Sequence, residues 1–265
     1  QTLVRKCIEL IDPNQRELLF LLGVMPGPIS LAKLDHLRRE PIIAGLTGYV
    51  SGGTDEEWRH LGSALAHLGL VRVFDHDEED RILEIEPVAV ETIRQIAFER
   101  TGNSALQVNE RLFLALQNSA KSSGKLTKKS LYDAVKFGCL AGRRQEAFTD
   151  VYLGKLAKGV TYFQAGQIAD EWSTMRMLLS APLREDCDPL DNRSTGIAEH
   201  TIGYCHRAIG QCRNASDWIS RGLQRFCEEQ SWGDAQRAAN HLAISYWYEG
   251  RSADALCSAI ASIRF

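Results

Sequence analysis

The chain has 265 residues, 44% hydrophobic and 25% charged, with 31 Lys+Arg against 34 Asp+Glu for a net charge of −3. That much apolar material excludes a disordered chain, and the near-balanced charge excludes binding of DNA or anionic lipid by bulk attraction. No uninterrupted apolar run approaches the roughly 20 residues a membrane-spanning helix needs, and the start lacks the layout of a secretory signal.

Asp12-Pro13 predicts a helix start, with the aspartate as N-cap and the proline at the first helical position. Leu18, Leu19 and Leu22 give this helix an apolar stripe, and Gly23 followed by Met25-Pro26-Gly27-Pro28 ends it. A short helix is expected over 31–38 and a glycine-rich loop over 41–53. Thr54, with Glu57 three residues on, has the pattern of a capping box for a helix over 55–68, whose face is Trp58, Leu61, Leu65 and Leu68. Gly69 stops it. Residues 70–74 and 81–85 read as the two strands of a hairpin joined by an acidic turn at 75–80. Pro87 opens a helix over 88–100. This order predicts a winged-helix domain over 1–103, with a seam at Thr101-Gly102-Asn103-Ser104.

From Ala105 onward the pattern is helical, with segments near 105–121, 127–141, 143–157, 162–180, 195–213, 215–229, 233–249 and 252–263. Short connections between helices of this length mean antiparallel neighbours. The segment 182–193, rich in Pro and Asp, is the one long connection. In the last pair Leu242-Ala243, Tyr246, Gly250, Ala255, Ala259 and Ser262 are similar to the tetratricopeptide pattern. There an aromatic fills the groove between two helices, small residues permit their close crossing, and a glycine turns the chain. Turns expected at Gly142, Asn214 and Gly250 lie 72 and 36 residues apart, two repeat lengths and one. The fold class predicted is mainly α: a winged helix with a small β-hairpin, then an α-solenoid of TPR-like helix pairs over 104–265 that continues beyond Phe265.

Catalytic signatures are missing. No phosphate-binding G-x-x-x-x-G-K-[ST], dinucleotide G-x-G-x-x-G, G-x-S-x-G or H-E-x-x-H stands in the chain, so no catalytic residue, cofactor or metal is predicted. The seven cysteines are odd in number and form no C-x-x-C pair, as thiols of a reducing, cytoplasmic compartment do. Cys205, His206 and Cys212 offer too few ligands for zinc. His200 and His206, six apart on one helix, point in different directions. Tyr204, Trp247 and Tyr248 are the candidate partner-binding residues. Trp247 and Tyr248, being adjacent, cannot share a face, and one of them either meets a following repeat or offers a partner surface.

Residues 1–104 carry 11 Lys+Arg against 17 Asp+Glu, net −6, and the remainder 20 against 17, net +3. The helix at 55–68 opens on Asp55-Glu56-Glu57, where a DNA-reading helix needs donors for phosphate. A DNA-binding transcription regulator with a helical effector domain is therefore the second reading, with Arg59, Arg72 and Arg81 as its contacts.

In this order the two halves resemble the C-terminal region of signal-transduction ATPases with numerous domains, the STAND class of NACHT or NB-ARC type. Residues 12–30, a leucine-rich helix ending in a Pro-Gly turn, look like that family's first winged-helix element. Leu68-Gly69-Leu70-Val71-Arg72-Val73 looks like its passage from the last helix into the wing, and Ile85-Glu86-Pro87 occupies its wing-exit motif. The resemblance implies a non-catalytic regulatory and sensor module, an NTPase core in the same chain, and a protein or peptide ligand held by the repeats. The chain departs from the family at Glu86, which stands where the family has a nucleotide-sensing histidine, and a carboxylate there repels phosphate.

Overall fold

The structure is a computed structural model, and it describes residues 2–30, 33–34, 36–38, 41–49, 51–75, 81–122, 127–156, 167–180 and 188–265. It is mainly helical with one small sheet, and it divides into two compact units, 1–126 and 127–265. No helix among the described residues is long and apolar enough to cross a membrane.

In the first unit, α1 (Thr2–Leu10) leads into α2 (Pro13–Gly23). The Asp12 carboxylate accepts from the backbone N–H of Asn14 and Gln15 at 2.8 and 3.0 Å, and the Gln15 side chain accepts from the Asp12 N–H. Two of the orphan donors of the first turn are thereby satisfied. Arg16 folds back and donates to the carbonyls of Ile8, Glu9 and Ile11, closing the C-terminal end of α1. Leu18, Leu19, Leu21 and Leu22 are all buried.

The two-residue β1 (Ile29–Ser30) was not expected from sequence, because two residues carry no alternation. It pairs antiparallel with β3 (Arg81–Ile85), which also pairs with β2 (Val71–Asp75), giving the order β1-β3-β2. Between them α3 (Asp55–His67) has the expected capping box, Thr54 Oγ1 accepting from the Glu57 N–H while Glu57 accepts from the Thr54 N–H. Trp58, Leu61 and Leu65 are buried, but Leu68 is 50% exposed, because it lies on the cap past the last helical turn. Helix α4 (Val90–Thr101) packs Ile93 and Ala97 against Gly23.

Helix α5 (Asn103–Ser122) also belongs to the first unit. Its Ala105, Val108, Leu112 and Phe113 are buried, and the Asn109 amide donates to the Val24 carbonyl at 3.1 Å. The division between units thus falls at 126/127, while 103/104, the seam expected from sequence, is the junction of α4 and α5. Most of the acidic turn at 75–80, parts of 31–38, the start of 162–180 and the first half of 182–193 lie outside the described residues.

The second unit runs α6 (Lys128–Leu140), the single turn α7 (Arg144–Glu146) continuing as a π-helix (Ala147–Leu156), α8 (Ile168–Leu179), α9 (Asn192–Ala208), α10 (Cys212–Glu228), α11 (Trp232–Tyr248) and α12 (Ser252–Arg264). Consecutive helices pack on one another from α9 to α12. The chain reverses at Gly142, Gly210 and Gly250, each at φ near +80°. In each case the next N–H reaches the carbonyl five residues back, at 2.9 Å, closing a Schellman motif that only a positive-φ residue permits.

The turn expected at Asn214 is therefore a correction. Asn214 lies inside α10, and the reversal is at Gly210, four residues earlier. The two last helix pairs repeat at 40 residues, Gly210 to Gly250. At the α9–α10 crossing a Cβ on Gly203 would stand 2.6 Å from Ile219 Cγ1 and 2.9 Å from the Ala215 carbonyl, so the two helices touch through the bare backbone. Ala215, Ile219, Phe226, Ala235, Ala238 and Leu242 form the core of α10 and α11, with Tyr246 against it.

Candidate functional site

Helix periodicity sets Arg193, Ile197, His200 and Tyr204 along one face of α9, and Asp234, Arg237 and His241 along one face of α11. The two faces meet over a cavity of about 360 Å³, closed by Phe226 of α10 and Leu153 of the π-helix. Inside it His200 Nε2 and His241 Nδ1 are 2.9 Å apart, with the rings nearly parallel at 7°. A face-to-face stack keeps ring atoms roughly 3.5 Å apart, so the short contact is an N–H···N bond between ring edges. One imidazole donates and the other accepts, which requires that at least one be neutral.

Burial holds both rings neutral. It pushes His200 down to about 3, with His241 and the nearby Arg237 and Arg207 adding to the effect against a small opposing pull from Asp234. Burial pushes His241 down to about 4, with Arg207 and Arg237 adding to it. Arg207 lies 4.6 Å over the Tyr204 ring and donates to the His241 carbonyl at 3.2 Å. At the mouth Asp234, itself buried, accepts from Ser231 Oγ at 2.7 Å, from Arg193 Nε at 2.9 Å and from Arg237. Burial alone would raise the Asp234 carboxyl, but these donors hold it below the usual carboxylate range.

Elsewhere in the same unit, Tyr132 and Tyr152 each donate a phenolic hydrogen bond to Glu171, one to each oxygen. Glu171 is 3% exposed, and burial raises its carboxyl above the usual range despite the two donors. The cluster is fully satisfied and shut from solvent, which marks it as structural. Cys205 is buried, and its thiol is pushed up to about 12 by burial and by the Glu171 carboxyl.

Of the residues singled out from sequence, Tyr204 lines the cavity with its ring 5.5 Å from that of His241. Trp247 and Tyr248 are both exposed, at 67% and 68%. Tyr248 shares with Tyr204 and Arg207 a shallow groove that Gly210 and Cys212 also line. The structure thus brings Tyr204 and Tyr248 together, while Trp247 lies outside that groove. His200 and His206 do point apart: His206 bonds to Gln211 at 2.8 Å and meets the edge of Trp172. Among the described residues no three His, Cys, Asp or Glu side chains gather as a metal site.

In the first unit Glu86 accepts from Arg72 Nε at 2.9 Å. Arg81 donates to the Arg59 carbonyl and to Ser63 Oγ. Arg72 and Arg81 are thus engaged with their own unit.

His241, Arg193, Asp234, Arg237 and Glu171 were not singled out in the sequence. The signal that finds His241 is the repeat itself: with the turn at Gly210, the 40-residue offset carries position 200 to 240, one residue from His241. Comparison of the chain with protein-family models, with curated proteins and with solved structures finds no match in any of the three.

Proposed function

We propose that this chain is a non-catalytic regulatory and sensor module of a signal-transduction ATPase, in which an acidic winged helix answers to an NTPase core and TPR-like helix pairs hold a protein or peptide partner. The winged-helix reading is supported by the order helix, short strand, helix, hairpin, with β1 laid along β3. The repeat reading is supported by the matching Schellman turns at Gly210 and Gly250 and by small residues where the helices cross.

The observation that carries the binding role is the pair of exposed aromatics ending α11. Trp247 and Tyr248 stand clear of their own core, and Tyr248 lines a groove with Tyr204 and Arg207. Large aromatics and arginines of this kind dominate the affinity of protein interfaces. The alternative, a DNA reader, is weakened where α3 enters solvent: its first turn is Asp55, Glu56 and Glu57, and Asp55 is already paired with Arg38.

Selection of a displayed peptide library on the full chain tests the proposal. The expected result is an enriched peptide whose binding drops at least about tenfold in Trp247→Ala/Tyr248→Ala, with an unchanged circular dichroism melt. Failure to enrich any peptide, or binding indifferent to both substitutions and to Tyr204→Ala, overturns it.

A further inference from the structure

The cavity between α9 and α11 is a different kind of site from the open groove. Its volume, about 360 Å³, lies at the small end of the range for small-molecule pockets. Its inner wall is apolar, built from Leu153, Ile197, Phe226 and the Tyr204 ring. Among the described residues the charged groups around it are unbalanced: Arg193 and Arg237 at the mouth and Arg207 behind Tyr204 and His241 face a single carboxylate, Asp234. Asp234 neutralises one guanidinium of charge and leaves a net positive balance at the mouth, where Arg193 and Arg237 are themselves more than half exposed and an anion is drawn in by partly screened attraction.

The imidazole pair adds a polar end. Each neutral ring has one donor and one acceptor nitrogen, and the bond between the rings consumes one of each. The pair keeps one further donor and one further acceptor, and tautomer exchange swaps their positions. An anion set against it recruits the donor, and it also favours protonation of the pair, because it supplies the charge partner that the surrounding arginines deny the imidazolium.

We propose that this cavity is a binding site for a small amphipathic carboxylate, whose acid group is held by Arg237 and the His200–His241 pair and whose apolar body lies against Ile197, Tyr204 and Phe226. The assignment rests on the cavity alone and is independent of the partner reading of Trp247 and Tyr248. Since Tyr204 walls both the cavity and the groove, an occupant of the first sits one ring away from the second. Binding that draws a proton onto the pair takes up that proton from solvent, so affinity rises as pH falls toward the values near 4 and 3 at which the free rings titrate. Among the described residues the charged and titratable groups facing the imidazoles in this balance are Arg193, Arg207, Arg237, Asp234 and Tyr204.

Isothermal titration of the full chain with 4-phenylbutyrate, and with the uncharged 4-phenylbutan-1-ol of the same shape, tests this directly. The carboxylate is expected to bind one to one, at least about tenfold more tightly than the alcohol, as a charge-assisted contact requires. Arg237→Gln, at a side chain that is 65% exposed and leaves Asp234 its bonds from Ser231 and Arg193, is expected to remove most of that preference, and Ile197→Trp to fill the cavity and abolish binding. Titration at pH 5.5 is expected to give tighter binding than at pH 7.5, with net proton uptake read from buffers of different ionisation enthalpy. Equal binding of acid and alcohol, binding unchanged in Arg237→Gln, or no binding by 4-phenylbutyrate, phenylacetate or hexanoate overturns the proposal. If Ile197→Trp does not fold, the Arg237→Gln arm and the proton count decide alone.

Discussion

The two units treat charge in opposite ways. Among the described residues of the first unit, the buried polar side chains are the neutral Thr47, Thr92, Asn109 and Gln117, and ion pairs such as Arg38–Asp55 and Arg72–Glu86 lie at least partly exposed. The second unit buries Arg144, Glu171, Glu199 and Asp234, each bonded to a side chain or carbonyl of its own unit. Overall charge does not explain this, since residues 1–126 carry 14 Lys+Arg against 18 Asp+Glu and residues 127–265 carry 17 against 16. Buried ionisable groups cost stability unless every lone pair is met. A unit that keeps four of them has positioned its helices around polar contacts, and one set of those contacts lines a cavity.

The largest effects that sharpen this contrast are expected in the second unit. Glu171→Ala strands two buried phenols and should destabilise that unit by roughly 3 kcal/mol. Glu171→Gln keeps an acceptor for one phenol and a donor for the other, and should cost under about 1 kcal/mol. Amide hydrogen exchange resolved by unit reads both, and the first unit's protection should not change. Next comes Gly203→Ala. Its new methyl meets the Ala215 carbonyl and the Ile219 backbone N–H, neither of which can swing aside, so overpacking should cost about 2–3 kcal/mol. A Gly203→Ala chain as stable as the parent would mean that the α9–α10 crossing is not the tight joint described.

Acid provides a third probe. Both imidazoles are depressed in the fold, to about 3 and about 4, from an ordinary value of 6.5. The unfolded chain therefore binds protons below pH 6.5 that the folded unit refuses. The stability is fully present above pH 6.5 and is lost as pH falls toward the folded values. Between pH 6.5 and 5 the loss is on the order of 2 kcal/mol per imidazole. Glu171 works the other way: its raised carboxyl stabilises the fold below the ordinary carboxylate range and less as pH rises. The difference between the parent and His241→Gln isolates the histidine contribution, and the variant should show the shallower loss in denaturant titrations at pH 6.5 and 5. Equal slopes would mean that the rings are charged in the folded unit.

What was readable in the sequence follows the same division. Asp12 stands next to Pro13 and Thr54 three residues before Glu57, so the chemistry that starts each helix lies inside one turn and shows in the order of residues. The two longer strands show by alternation, whereas β1 is too short to alternate. His200 and His241 are 41 residues apart, and Glu171 is 39 from Tyr132 and 19 from Tyr152. Such clusters are found only through the phase of the helix pairs. That phase was displaced by four residues when Asn214 took the place of Gly210, because asparagine also tolerates positive φ, and four residues is one full helical turn.

The smallest effect belongs to the first unit and tests its side of the contrast. Thr54→Ala removes the hydroxyl that accepts from the Glu57 N–H at 3.3 Å and leaves Glu57 with no hydroxyl to meet. Loss of an N-cap of this kind costs about 1 kcal/mol. The loss should stay local, because Trp58, Leu61 and Leu65 anchor α3 by burial and Glu57 still accepts from the backbone N–H of residue 54. Exchange should therefore speed up over the first turn of α3 and hardly at all in β2 and β3. If the sheet loosened as well, the cap would be holding more than its own helix, and the first unit's polar contacts would be as far-reaching as those of the second.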